Sequence, residues 1–112
     1  MSRRDELFEI VRCIPEGTAV GYGVIGRLLI PPVSGLIAGK WMFQCPAGSG
    51  IPWWRVVGGD GTLKIGKVSP ELAQEQRKRL EKEGVEFDGD LVRRDFFISG
   101  DELFALVEAQ RT

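Results

Sequence analysis

Histidine does not occur among the 112 residues, and its absence removes the usual general base near neutral pH together with every His-dependent catalytic triad. It also leaves a zinc site almost without donors, because Cys13 and Cys45 are the only cysteines and lie far apart. The same pair, without a Cys-x-x-Cys spacing, points to reduced thiols rather than a disulfide framework. Hydrophobic runs are short and broken by glycine, proline or charge, well under the roughly 20 residues that a membrane-spanning helix requires. Ser2, Arg3, Arg4, Asp5 and Glu6 are followed by no apolar signal core, so a cytoplasmic protein with no membrane contact is expected. No cofactor is expected either.

Acidic residues are missing from the middle of the chain. Between Gly17 and Gly59 there is no Asp or Glu, whereas Arg27, Lys40 and Arg55 fall within that stretch and carboxylates crowd the two ends. Such a segment can lie beside phosphate without repulsion, or it is simply an uncharged middle.

A chain of this length with 43% hydrophobic residues suits one domain over 1–112 with a single modest core. Ser2 is placed to cap a first helix reaching about residue 13, with Leu7, Phe8, Ile10, Val11 and Ile14 on one apolar stripe. Pro15, Glu16 and Gly17 form a turn. Thr18 then caps a short second helix carrying Tyr22, Val24, Ile25, Leu28 and Leu29, weakened by Gly21, Gly23 and Gly26. Pro31 and Pro32 end it, and Val33 or Ser34 opens a third helix to about residue 44, closed by Pro46. Val56 and Val57 read as a short strand before a Gly-Gly-Asp-Gly turn. Ser69 caps and Pro70 begins a fourth helix, buried through Leu72, Ala73 and Leu80 and terminated by Gly84. Residues 91–98 read as extended, and Ser99 with Glu102 forms a capping box for a last helix. These elements read as α+β, mostly helical, with a helix-turn-helix and short strands.

The run Pro52-Trp53-Trp54-Arg55-Val56 resembles the Pro-Cys-His-Arg-Val motif of the O6-alkylguanine-DNA alkyltransferases, with Trp53 in the place of the nucleophilic cysteine. That replacement marks the alkyltransferase-like proteins, which keep the DNA-binding domain and transfer nothing. The resemblance extends to Pro15-Glu16-Gly17-Thr18, Tyr22-Gly23, Gly39, Met42, Ile51 and Glu83-Gly84. It covers 7–87, leaving 90–112 as a C-terminal extension with the final helix. It implies a winged-helix-like, helix-turn-helix DNA-binding domain and a monomeric, non-enzymatic protein that binds double-stranded DNA in the minor groove, recognises O6-alkylguanine by base flipping, and presents it to nucleotide excision repair proteins.

Carried over residue by residue, the resemblance gives Tyr22, Ser34, Leu36 and Lys40 as DNA contacts, and Tyr22, Trp53, Trp54 and Arg55 as the lesion pocket. Tyr22 crowds the phosphate of the rotated nucleotide or is a plain core tyrosine. Lys40 follows Leu36 by one helical turn and meets the DNA backbone or is an ordinary surface lysine. Arg55 is chiefly structural. Trp53 stacks on or packs beside the base or is a core indole, and Trp54 walls the same pocket or, the favoured reading, is core packing. Three positions depart from the pattern. Trp54 replaces the activating histidine, Cys45 replaces an asparagine that supports the active-site loop, and Leu36 replaces the arginine that fills the gap left by the flipped base. Leu36 is an apolar wedge or a core residue of its helix. Glu83, without a catalytic partner, is expected as an exposed helix-end carboxylate. Rival readings are a DNA-binding regulator or architectural module without lesion specificity, an enzyme using Cys13 or Cys45 as acceptor, and a protein-interaction domain.

Overall fold

In the computed structural model, which describes residues 2–46 and 48–111, the first helix (α1, Arg3–Arg12) begins where the Ser2 hydroxyl accepts from the Asp5 amide. Acidic side chains in its first turn and Arg12 in its last complement the helix dipole. Leu7, Phe8, Ile10 and Val11 form its buried face, the stripe expected of a 3.6-residue period.

The chain then runs extended at β1 (Val20–Gly21) before entering α2 (Tyr22–Arg27). Thr18 therefore does not cap the second helix. Its hydroxyl donates to the Pro15 carbonyl, 2.8 Å away, and Gly21 occupies the cap position with no side-chain bond. The reason lies in the sheet. Val20 and Gly21 pair in parallel with Val56 and Val57 of β2 (Val56–Val57), and Ala19 bridges Phe97 on the other side. Pairing on both sides holds this segment straight and delays the helix.

The third helix (α3, Gly35–Met42) is capped by Ser34, whose hydroxyl accepts from the Ile37 amide. It ends earlier than the sequence suggests: Gln44 and Cys45 donate to carbonyls three residues back, a tightening of the last turn common at helix ends. The fourth helix (α4, Pro70–Lys82) starts at the Ser69 cap and stops before Gly84, whose φ of 94° suits only glycine. Its buried face differs from the expected one. Leu80 and Gln76 are inside, while Leu72 is exposed.

Only part of 91–98 is a strand. β3 (Phe87–Asp88) and β4 (Leu91–Val92) make an antiparallel hairpin, after which Arg94–Phe96 coil into a 3-10 turn. The last helix (α5, Gly100–Arg111) opens where Ser99 accepts from the Glu102 amide. Its Leu103 and Val107 join Leu7, Ile10, Ile14, Ile25, Ala38 and Met42 in one apolar cluster, and a second cluster gathers Ala19, Val57, Leu80, Val85 and Val92. The first cluster carries the α2–α3 pair, and the second anchors the segment that follows Trp53.

Candidate nucleic-acid interface

The glycines of α2 and α3 are what let these helices meet backbone to backbone. A Cβ on Gly26 would lie 2.4 Å from the Val33 carbonyl oxygen, and one on Gly35 would lie 3.1 Å from the Gly23 nitrogen. Residues that weaken an isolated helix are thus required by the approach of the pair. Ala38 and Met42 bury the inner face of α3. Leu36 consequently points away from the core with 74% of its surface exposed, and Lys40, one turn on, is exposed as well.

Beside this face lies a cleft of about 490 Å³. Gly35, Leu36, Gly39, Lys40 and Phe43 of the α3 region line one side, Gly59, Lys64, Lys67 and Val68 the other, and Tyr22 and Gly23 lie between them. Tyr22 is buried against Gly39 and meets Phe43 edge-on, with ring centroids 6.4 Å apart. Burial pushes its phenol up to about 12, so at any ordinary pH the hydroxyl is a donor. Three of the four expected DNA contacts, Tyr22, Leu36 and Lys40, therefore share one cleft. Ser34 stands at the head of α3 with its hydroxyl committed to the cap. Lys64, Lys67 and Val68 escaped the sequence reading. The available signal was that Lys64 and Lys67 are the first cations after the acid-free stretch, three residues apart.

Trp53, Trp54 and Arg55 do not line this cleft. The two indoles meet edge-on, 6.1 Å between centroids. Trp53 packs against the first apolar cluster and Trp54 against the second. Around Trp54 stands a polar network centred on Glu83. The indole N–H donates to Glu83 Oε2 at 2.9 Å, Arg55 Nη2 to the same oxygen at 2.7 Å, and the Gly17 amide to Oε1 at 3.1 Å. Arg55 Nη1 also donates to the Ile14 carbonyl, 2.7 Å away. The guanidiniums of Arg55 and Arg79 lie 5.4 and 4.7 Å from the centroid of the Trp54 ring, within cation–π range.

Glu83 is thus not the exposed helix-end carboxylate expected of it: 9% of its side chain is accessible. Burial alone would raise its pKa. The hydrogen bonds from Arg55, Gly17 and Trp54, with the Arg55 charge, outweigh that and hold it below the usual glutamate value. Gln76 adds support from α4 by donating to the carbonyls of Trp54 and Val56; its place four residues before Leu80, on the same helix face, was the legible clue.

Near Cys45 the loop is held another way than through an asparagine. The Ser49 hydroxyl accepts from the Ile51 amide at 3.3 Å and lies 3.7 Å from the Cys45 sulfur. Cys13 and Cys45 are both free thiols. Burial pushes the Cys13 thiol up, with Arg111 opposing in part, the reverse of what a nucleophilic cysteine needs.

The profile of the 6-O-methylguanine DNA methyltransferase DNA-binding domain matches residues 2–85. The chain is 37% identical over 83 residues to a DNA base-flipping protein of Escherichia coli, covering 74% of this chain and 62% of that protein's length. It is 33% identical over 81 residues to alkyltransferase-like protein 1 of Schizosaccharomyces pombe, covering 72% of this chain and 74% of the relative. The S. pombe Atl1 structure in complex with damaged DNA containing O6-carboxymethylguanine superposes with a TM-score of 0.76 at 27% identity, covering 86% of this chain and 94% of that one. The chain thus spans under two thirds of the bacterial relative's length.

Proposed function

Since this chain belongs to the family of the 6-O-methylguanine DNA methyltransferase DNA-binding domain, among its alkyltransferase-like members, we propose that it binds double-stranded DNA and reads O6-alkylguanine without altering it. The observation that carries the reading is Leu36, exposed on α3 at the mouth of the cleft that Tyr22 and Lys40 share. A modified base cannot be inspected inside the stack, and rotating it out costs a few kcal/mol. Leu36 enters from the minor groove and fills the gap, as apolar wedges do. Tyr22 donates to the phosphate of the rotated nucleotide, Lys40 meets the backbone beside the wedge, and the Ser34 cap fixes the head of α3. The rotated base enters the cleft beside Tyr22, whereas Trp53, outside the cleft lining, packs on the first apolar cluster. Trp54 and Arg55 hold the segment in place through Glu83.

Alkyl transfer needs an activated nucleophile. Trp53 supplies no thiol, Trp54 no imidazole, and Glu83 is occupied by three donors, so the protein works as a sensor rather than an enzyme. A lesion left in place must be removed by another activity, and nucleotide excision repair proteins are the partners assigned to that step. A second reading, a DNA-binding module indifferent to lesions, is favoured by the position of Trp53 outside the cleft.

A gel-shift with radiolabel in the methyl group of an O6-methylguanine duplex tests the proposal. The complex should survive excess unmodified competitor, and the label should return with the DNA on dissociation. Label on the protein, or loss of the complex to competitor, overturns it.

A further inference from the structure

The cleft is more cationic than its sequence neighbourhood suggests. Its lining includes Lys40, Lys64 and Lys67 and no carboxylate. Among the described residues none of these lysines belongs to an ion pair. Lys40 stands on α3 beside Leu36, whereas Lys64 and Lys67 sit across the cleft on the 3-10 turn Lys64–Lys67. The Lys64 stem passes over Gly58, where an added Cβ would come within 2.8 Å of its Cε. Asp60 Oδ1 would lie 2.8 Å from the same added Cβ, so this exposed carboxylate faces Lys64 from outside the cleft lining while it accepts from the Thr62 hydroxyl at 2.7 Å and the Thr62 amide at 3.1 Å. No carboxylate lines the cleft beside Lys67. Tyr22, Leu36, Phe43 and Val68 supply the apolar surface. A cleft of this kind takes a flat apolar group and distinguishes ligands by a few converging polar ones.

We propose that Lys64 and Lys67 make the cleft selective for O6-alkylguanines whose substituent carries a carboxylate, over neutral adducts of the same size. The inference rests on the reading that an alkylated base enters this cleft. Charge, not bulk, is then the selected property. A carboxylate offers two acceptor oxygens and no donor, matching two ammonium groups that only donate, and such charge-assisted bonds are stronger than neutral ones. A phosphate oxygen offers the same chemistry, so the test separates an adduct carboxylate from the DNA backbone.

Four duplexes of one sequence are compared by fluorescence anisotropy at fixed salt. They carry guanine, O6-methylguanine, O6-carboxymethylguanine or the neutral carboxamide counterpart of the last. The wild type should bind the carboxylate duplex roughly tenfold tighter than the carboxamide duplex, the size of one charge-assisted hydrogen bond. The double variant Lys64→Gln/Lys67→Gln should lose that ratio and keep its preference for the carboxamide over guanine. Both lysines are exposed, so the variant should fold. Equal affinity of the wild type for carboxylate and carboxamide duplexes, both above guanine, overturns the charge selectivity and leaves the lesion reading standing. No preference for any adduct over guanine overturns both. An equal loss on all four duplexes in the variant assigns the lysines to phosphates and overturns the proposal.

Discussion

Trp54 donates its indole N–H to Glu83 Oε2, 2.9 Å away, and Arg55 closes on both oxygens of the same carboxylate with bonds of 2.7 to 3.2 Å. The indole at position 54 thereby ties the carboxylate into a structural network with Arg55 and Gly17. The Arg55–Glu83 pair is partly buried, with 14% and 9% of the two side chains accessible, and removing one member leaves the other without its charged hydrogen-bond partner.

Glu83→Gln should therefore lower the unfolding free energy by about 2 kcal/mol in urea titration at neutral pH, because Arg55 loses its charged hydrogen-bond partner in a partly buried place. A change below about 0.5 kcal/mol, the size of an ordinary surface substitution, would contradict the network.

The same group sets a pH dependence. Its folded pKa lies below the unfolded one, so the unfolded chain binds the proton more readily and stability rises with pH between the two values. The contribution is complete above the ordinary glutamate value of about 4.3 and is lost as pH falls through the folded value. Glu83→Gln cannot titrate and should lack this part of the acid slope. Parallel wild-type and variant profiles below pH 4.3, to about a tenth of a unit, would rule it out.

Trp53→Cys alone should not restore alkyl transfer. The new thiol would face Trp54 rather than an imidazole, and Glu83 would remain bound to Trp54 and Arg55. Intact-mass measurement after incubation with O6-methylguanine DNA should show no added methyl, whereas Trp53→Cys/Trp54→His should label faster than the single variant. Efficient labelling of the single variant would show that the network does not govern reactivity.

Gly26→Ala should destabilise the protein by about 2 kcal/mol, the usual scale for overpacking, since the added carbon falls 2.4 Å from the Val33 carbonyl oxygen. DNA affinity should fall with it because α3 is displaced. Thermal unfolding at the wild-type temperature would deny the close approach.

Much of this was legible in the sequence, and the misses share a cause. Ser2, Ser34, Ser69 and Ser99 each cap a helix as their positions suggest, because capping is decided within a few residues. β1, the burial of Gln76 and the polar burial of Glu83 depend on partners twenty or more residues away, which no local pattern displays. Leu72 went wrong for the same reason: its apolar character fits the inner face of α4, but the neighbouring chain packs on Gln76 and Leu80. In the site, Tyr22, Leu36 and Lys40, singled out through the family resemblance, lie within one α2–α3 segment and line one cleft. Lys64 and Lys67 enter the cleft only through the fold of the Gly58–Gly61 turn, whose reversal Gly61 permits with φ of 94°.

Leu36→Ala should leave stability within about 0.5 kcal/mol, as expected of an exposed side chain, while weakening binding to a lesion duplex more than to its unmodified twin. Leu36→Arg should tighten binding to both and steepen the dependence of log K on log salt by about 0.9, the increment for one added phosphate contact. Marked unfolding of Leu36→Ala, measured by circular dichroism, would return Leu36 to the core.

The most direct test of the sensor reading is the anisotropy comparison of an O6-methylguanine duplex with its unmodified twin at two salt concentrations. The account predicts tighter binding to the lesion at both salts, with the ratio nearly unchanged because backbone contacts are common to the two duplexes. Equal affinities at each salt, both falling steeply as salt rises, would contradict it and leave a backbone-binding scaffold alone.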